Sequence, residues 1–396
     1  MITELRPGVF LLGIQDWHRR LFDELIPLPD GTSYNAYLID GGEKTALVDT
    51  ADPSRREEFL AVLAATGKKR LDYLVSHHAE QDHAGLIPDV LRRYPEIRVL
   101  TSDRGKTFLM DLLHLPAEKI QVVADGEKIP LGRFTLEFIL APWVHWPETM
   151  LTYLTEEKIL FSCDLFGSHL ATSGVAAEGW PEVYQAAKRY YAEIMMPFRP
   201  VIAGHLAKLA TKQISLIAPS HGPVHYRPEL ILKAYHDWIS PETKNEVLVI
   251  FVSMHGSVAL MVQRLVDRLI SSGITVRPFN LTATDPGQLA IALVDASTVV
   301  LATPTVLGGP HPVMMSAATL IRALRPKIKF LAVLSSFLWG GQAQESLENL
   351  LAPLKVKILP AVKVRGCPTA ADLERVDQLA QLIAAEHAQA GLTQKT

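Results

Sequence analysis

Residues 76–85 read S-H-H-A-E-Q-D-H-A-G and place His78, Glu80, Asp82 and His83 within a single short loop. Residues 71–75 just upstream read as a short buried strand, and residues 86–93 downstream read as a helix, so the cluster lies at a strand end. In an extended chain residues two apart point the same way, which lets His78 and Glu80 face one point. Asp82 and His83 fall where the chain turns into the helix and can aim at a second point close by. Two imidazoles and two carboxylates at that spacing are metal ligands of the nitrogen/oxygen type. A polar loop capping a helix, with Asp82 as the cap, is the alternative these residues alone leave open.

Three further residues strengthen the metal reading. His145 lies in A-P-W-V-H-W-P, Asp164 in F-S-C-D-L-F-G and His221 in P-S-H-G-P. Each directly follows an apolar run, where a sheet would deliver it to a common edge. The chain has 14 histidines, and a lone one is more often a surface or core residue than a ligand. Three strand-end residues together with the loop cluster tip that balance.

The elements that must position these groups follow from length and pattern. A chain of 396 residues is too long for one typical domain and suggests two. Apolar residues make up 48%, enough for proper cores, and the formal net charge of −3 leaves no basic stripe for nucleic acid. No run of roughly 18 apolar residues argues for a membrane span, and residues 1–10 lack a basic segment followed by an apolar one, so no secretory signal is expected. Two cysteines, Cys163 and Cys367, stand far apart without a C-x-x-C partner. That excludes a thiolate metal centre such as a fused rubredoxin-type module, and it fits a reducing, cytoplasmic location.

In the first half, strands are expected at residues 9–14, 33–39, 44–49, 97–101, 134–140, 150–154 and 159–162. Helices are expected after Asp52-Pro53, from residue 86, up to about residue 115, and over residues 181–195 and 200–214. Strands in runs with helices outside them predict a sandwich of two mixed sheets between helical layers. The pattern changes after residue 240, and the domain boundary is placed at 245, giving domains 1–245 and 246–396. The second half alternates apolar strands, at residues 246–252, 275–278, 298–302, 330–334 and finally 355–359, with helices. The closing helix starts with a capping box at Thr369. This predicts a doubly wound parallel sheet of flavodoxin-like order with its ligand site at the strand ends.

Three loops at those strand ends carry the chemistry of the second half. The first is Ser253-Met254-His255-Gly256-Ser257, where backbone N–H groups and two hydroxyls at a helix start can hold a phosphate. The second runs Thr303-Pro304-Thr305-Val306-Leu307-Gly308-Gly309. The third is Ser335-Ser336-Phe337-Leu338-Trp339-Gly340-Gly341, whose two aromatics can flank a flat ring.

The pattern H-x-E-x-D-H followed by H, D and H resembles the metallo-β-lactamase fold in its flavodiiron variant, over about the first 240 residues. The resemblance implies that His78, Glu80 and His145 bind one metal, that Asp82, His83 and His221 bind the other, and that Asp164 bridges them. Hydrolases of this fold usually carry histidine where this chain has Glu80. With Glu80, Asp82 and Asp164 the site supplies three negative charges, which favours the oxidised state of a redox metal and points to iron over zinc. The three loops of the second half resemble the FMN-binding loops of flavodoxins as they occur in flavodiiron proteins. Val258 stands where the family usually has a phosphate-binding threonine, His255 where a bulky or aromatic residue is common, and Leu338 where glycine is typical. A lost hydroxyl costs about 1.5–3 kcal/mol of phosphate binding, so a weaker hold on FMN is expected.

The resemblance further implies an oxidoreductase that reduces dioxygen to water or nitric oxide to nitrous oxide at two non-haem iron ions fed by FMN. It implies a head-to-tail homodimer, or a dimer of such dimers, and an external electron donor, either a rubredoxin-like protein or a reduced coenzyme. His169, in G-S-H-L-A-T, and Tyr191 resemble catalytic positions above the metals, with at least one of the Tyr190–Tyr191 pair read as core. Trp17, Trp143 and Trp146 are expected to shield the site, and His77, His205, His225 and His311 to be structural or superficial. The alternative is a two-zinc hydrolase whose second domain no longer binds flavin; Glu80 and the flavin-type loops argue against it.

Overall fold

The computed structural model describes residues 1–179 and 181–393. It divides into two compact units, one of Met1–Tyr191 with Phe198–Ile239 and one of Ala192–Pro197 with Ser240–Thr396.

The first unit carries two sheets. The larger has seven strands in the order Ile2–Arg6, Val9–Asp16, Thr32–Asp40, Thr45–Val48, Tyr73–Val75, Arg98–Thr101 and Ile120–Val122. Its first four strands pair antiparallel and the remainder parallel. The smaller has Lys128–Pro130, Thr135–Leu140, Met150–Leu154, Ile159–Cys163 and Leu216–Pro219, antiparallel except for its last pair.

Both faces of the larger sheet are apolar because successive side chains alternate between two cores. Tyr37 and Ile39 pack with Phe138, Leu154 and Phe161 of the smaller sheet. Ala36 and Leu38, one residue out of phase, pack with helical residues Phe59, Leu63, Ile87 and Val90 on the other side. The Tyr37 hydroxyl donates to the Pro219 carbonyl at 2.6 Å, a bond running from the larger sheet to the last strand of the smaller. This is the expected sandwich, and Asp52, whose carboxylate accepts from Ser54 N, caps the 3-10 turn Pro53–Arg55 that leads into the helix Arg56–Ala65.

The second unit is a parallel sheet in the order Thr275–Asn280, Lys244–Phe251, Ala296–Val306, Phe330–Phe337 and Lys357–Ile358. That is the flavodoxin-like 2-1-3-4-5 order. The helices Ser257–Ser271 and Ala370–Gln389 cover one face through Met261, Leu265, Val376 and Ile383. The capping box at Thr369 is formed as expected. One expectation needs correcting: residues 355–359 are not the last strand. Val362–Arg365 follows and pairs with the end of Phe330–Phe337. Pro360, which has no N–H to give to a ladder, splits this position into two short strands.

Candidate metal centre and flavin cleft

The strand Tyr73–Val75 ends at the loop of residues 76–80, and a single helical turn, Gln81–Ala84, follows it. Asp82 lies inside that turn, and neither of its carboxylate oxygens has a hydrogen-bond partner, so it does not cap the helix. Its two oxygens face imidazoles instead, Oδ1 at 3.4 Å from His83 Nε2 and Oδ2 at 3.2 Å from His221 Nε2. His78 Nε2 and His145 Nε2 converge in the same way on Glu80 Oε2, at 2.9 and 3.3 Å.

Asp164 joins the two groups. Its Oδ2 lies 3.5 Å from His145 Nε2 and 3.9 Å from His78 Nε2, while its Oδ1 lies 3.1 Å from His83 Nε2 and 3.4 Å from His221 Nε2. All seven residues singled out from the sequence are therefore brought together, as two triads with one carboxylate between them. A nitrogen and an oxygen that each sit about 2.1 Å from one ion, at roughly 90–110°, stand about 3.0–3.5 Å apart. The separations within each triad match that requirement.

The electrostatics say what the arrangement wants. Burial opposes charge on every group here, yet the neighbours outweigh it. Glu148 and Glu80 raise His78 to about 9, Asp164 and Asp82 raise His83 to about 9, Asp164 and Glu80 raise His145 to about 9, and Asp164 and Asp82 raise His221 to about 10. Asp164 is held well below the usual carboxylate range by the surrounding imidazoles. Both oxygens of Asp82 and Asp164 and His83 Nε2 are buried with no hydrogen-bond partner. Orphaned buried acceptors of this kind are costly unless a cation meets them. The donor set thus fits two metal ions, with mixed imidazole and carboxylate ligands suited to iron. The open side is at Glu80 and His145, whose side chains are 12% and 15% exposed, against at most 2% for the other five.

Residues behind the donors fix their orientation. His78 Nδ1 meets Glu148 Oε1 at 2.6 Å, and the same oxygen accepts from Ala79 N. His221 Nδ1 donates to the Ser33 carbonyl at 2.7 Å. Sequence reasoning missed both; the signal for Glu148 was a carboxylate three residues after His145 in H-W-P-E. His77 is structural as expected, held by Asp49 through Nδ1 and by Thr152 through Nε2. His225 is buried against the Phe166 carbonyl, His205 bonds the Pro142 carbonyl, and His311 caps a helix. Trp146 packs edge-on over His78, while Trp17 and Trp143 are about half exposed and shield little.

His169 lies beside the centre, its ring 5.0 Å from that of His221, with Nδ1 at 2.9 Å from Thr32 Oγ1 and Nε2 buried without a partner. Burial, with His221 adjacent, keeps it well below the usual imidazole range and so neutral. Tyr191 does not join it. Its hydroxyl donates to the Trp238 carbonyl within an aromatic core of Tyr235 and Trp238. Tyr190 stands beside His169 instead, with ring centroids 4.8 Å apart. Neighbours on a helix point about 100° apart, so only one tyrosine of the pair can face the site. The helix Glu182–Tyr190 delivers the first, and a π turn begins at the second.

In the second unit, loops at the carboxyl ends of Lys244–Phe251, Ala296–Val306 and Phe330–Phe337 line a cleft of about 250 Å³. Ser253, Met254, His255 and Ser257 contribute from the first loop, Pro304 and Thr305 from the second, Ser336, Phe337 and Leu338 from the third. Gly256 has φ +89°, which only glycine adopts freely, and a side chain there would project into open space. Thr305 Oγ1 is buried without a partner. Leu307 and Trp339 project into solvent, 90% and 69% exposed, beside the turn glycines Gly308 and Gly340. Ser335 is buried at its strand end, and Val306 is half-buried. Gly366 and Cys367 also line the cleft, from a fourth loop that sequence reading overlooked. A flat, phosphorylated ligand fits these polar strand ends and exposed apolar rims.

Comparison with known proteins agrees with this architecture. The family described as "ODP family beta lactamase" matches residues 32–222. The chain is 34% identical to the nitric oxide reductase of Moorella thermoacetica over 388 residues, 96% of this chain and 97% of that protein. It is 31% identical to the rubredoxin-oxygen oxidoreductase of Megalodesulfovibrio gigas over 392 residues, 96% and 97% of the two chains. Among solved structures, the rubredoxin oxygen:oxidoreductase from Desulfovibrio gigas superposes with a TM-score of 0.94 at 30% identity, covering 98% of each chain. The flavodiiron protein of Giardia intestinalis gives 0.89 at 27% identity, again over 98% of each. At these identities, over nearly the whole length of both chains, the chain belongs to the flavodiiron family, with the type A flavoprotein of Rhodobacter capsulatus another relative at 32%.

Proposed function

We propose that the protein is an oxidoreductase that reduces dioxygen to water, or nitric oxide to nitrous oxide and water, with electrons from an external donor. The observation that carries this reading is Asp164, buried with both oxygens unpartnered, each facing a separate imidazole–carboxylate triad. His78, Glu80 and His145 would hold one iron, Asp82, His83 and His221 the other, with Asp164 between them. The cleft of the second unit would hold FMN. Bound iron and flavin supply the one- and two-electron transfers that no side chain here can perform.

The chain's own residues do the rest. Glu80, Asp82 and Asp164 present three negative charges and stabilise the more oxidised form of whatever they hold. The exposed edges of Glu80 and His145 leave the approach open to a small molecule. Trp146 packs edge-on against the His78 and His145 rings and covers part of that side of the site. Reduction consumes protons, and two groups can hold them at the donors. His169 keeps one at Nε2 when Thr32 donates to Nδ1, and the Tyr190 phenol stays protonated because burial and then Asp164 push it far above its ordinary range.

The relatives' names include a rubredoxin-oxygen oxidoreductase and a coenzyme F420H2 oxidase, so the donor is a small redox protein or a reduced coenzyme. A head-to-tail dimer, pairing the flavin of one subunit with the irons of another, belongs to the same proposal. The test is anaerobic reduction of the purified chain, metal analysis, and mixing with each gas while flavin reoxidation is followed. About two irons, a bound flavin and rapid reoxidation by at least one gas are expected, and Glu80→Ala should abolish gas reduction with flavin retained. Full activity in Glu80→Ala would contradict the ligand assignment.

A further inference from the structure

FMN differs from riboflavin by a phosphate carrying close to two negative charges at neutral pH, so a site that selects it needs donors and, best, a positive charge. Among the described residues the cleft in the second unit has no lysine or arginine in its lining. His255 is the one basic side chain among the described lining residues. It is exposed, and it sits in the loop that enters the helix Ser257–Ser271, whose first backbone N–H groups have no partner within the helix. Its imidazole makes no hydrogen bond or ion pair to another described residue.

The neighbours cannot take over its part. Ser253 Oγ accepts from Ala259 N at 3.2 Å and keeps its O–H to donate, but it carries no charge. Val258 is apolar and packed in the core with Met261 and Leu265. Lys363, on the strand beyond the third loop, holds its ammonium over the Phe337 ring, 5.3 Å from the centroid, and 3.6 Å from the Glu345 carboxylate. That leaves the phosphate end of the cleft with hydroxyls, backbone N–H groups and one free imidazole.

We propose that His255 is the residue that reads the phosphate, donating an N–H to it and supplying the charge the rest of the lining lacks, so that this chain selects FMN over riboflavin. The inference rests on the reading of this cleft as a flavin site.

Titration of the full-length, flavin-stripped chain with FMN and with riboflavin, read by quenching of flavin fluorescence, tests it. The unaltered chain should bind FMN at least tenfold more tightly than riboflavin. His255→Ala should weaken FMN by about 10- to 100-fold, the worth of one charge-assisted bond, and leave riboflavin within twofold. His255→Arg, which restores donor and charge, should keep FMN within a few-fold of the original. Unchanged FMN affinity in His255→Ala overturns the assignment. So does an equal loss of both flavins, which would mark a loop held together by His255 and not a phosphate contact. If the unaltered chain binds neither flavin, the cofactor reading itself falls and this inference with it.

Discussion

Glu148 shows how a single side chain behind the donors can govern the centre. Its carboxylate is fully buried, meets His78 Nδ1 at 2.6 Å and accepts from the next backbone N–H. That contact fixes which ring nitrogen of His78 faces Glu80 and Asp164, and the anion behind the ring makes it a stronger donor. Glu148→Gln keeps the size and one acceptor but removes the charge. It should lower metal affinity by about 10- to 100-fold, measured by competition with a chelator of known affinity. Affinity within twofold of the unaltered chain would show that Glu148 only fills space. The two adjacent tyrosines separate site from core just as cleanly. Tyr191→Phe strands the Trp238 carbonyl and should cost about 1 kcal/mol of stability with metal content and turnover unchanged. Tyr190→Phe should slow gas reduction several-fold without a comparable drop in melting temperature, and the reverse outcome would reassign the pair.

At the level of elements, the sequence is legible where a strand is apolar and central and illegible where it is short and at an edge. The runs before Asp164 and His221 stand out because every residue of Ile159–Cys163 and Leu216–Pro219 is buried. Ile2–Arg6 carries Glu4 and Arg6 on an edge with mixed exposure, so it shows no alternation to read. Lys128–Pro130 is too short and polar for the same reason. Tyr191 was misplaced because apolar content cannot say which of two adjacent aromatics a helix turns toward a site. The closing helix, in contrast, was announced by its capping box, and near its other end it holds a titratable lock. His387 is buried in Ala370–Gln389, with Nε2 at 2.7 Å from Thr298 Oγ1 and Nδ1 at 2.7 Å from Asn245 Oδ1. Burial first, and Lys329 second, lower it from 6.5 to about 4. Between those values the unfolded chain binds the proton and the folded one does not, so stability rises with pH. The contribution is complete above pH 6.5 and is lost as pH falls toward 4. Thermal unfolding from pH 7 to 4 should show this acid loss in the flavodoxin-like unit, and His387→Gln should flatten it. An identical pH slope in the variant would mean other groups carry the acid sensitivity.

Over the whole molecule, the seven ligand candidates were readable because the fold delivers each at a strand end, and residue type plus position is enough to mark such sites. The groups that hold them were harder to read: Glu148 left only the faint signal of a carboxylate near His145, and Ser33 left none, because it meets His221 only through the packing of the two sheets. The same packing makes the first unit dependent on its cargo. Its centre buries two carboxylates, Asp82 and Asp164, whose oxygens find no hydrogen-bond donor, and without metal ions they are neutralised only by holding protons on four imidazoles that burial would rather keep neutral. A ligand that binds only the folded state stabilises it by RT ln(1 + [L]/Kd), about 4 kcal/mol at a thousandfold excess over Kd. Stripping the metals with a chelator should therefore lower the melting temperature of the metallo-β-lactamase-like unit by several degrees. The flavodoxin-like unit, with its own core and no residue in the donor set, should melt where it did before. Scanning calorimetry of the full chain with and without chelator should then show one transition moving and one standing still, and adding Fe(II) back under anaerobic conditions should restore the first. If both transitions move together, or neither moves, the buried carboxylates are satisfied by something other than metal ions, and the binuclear reading of Asp164 loses its support.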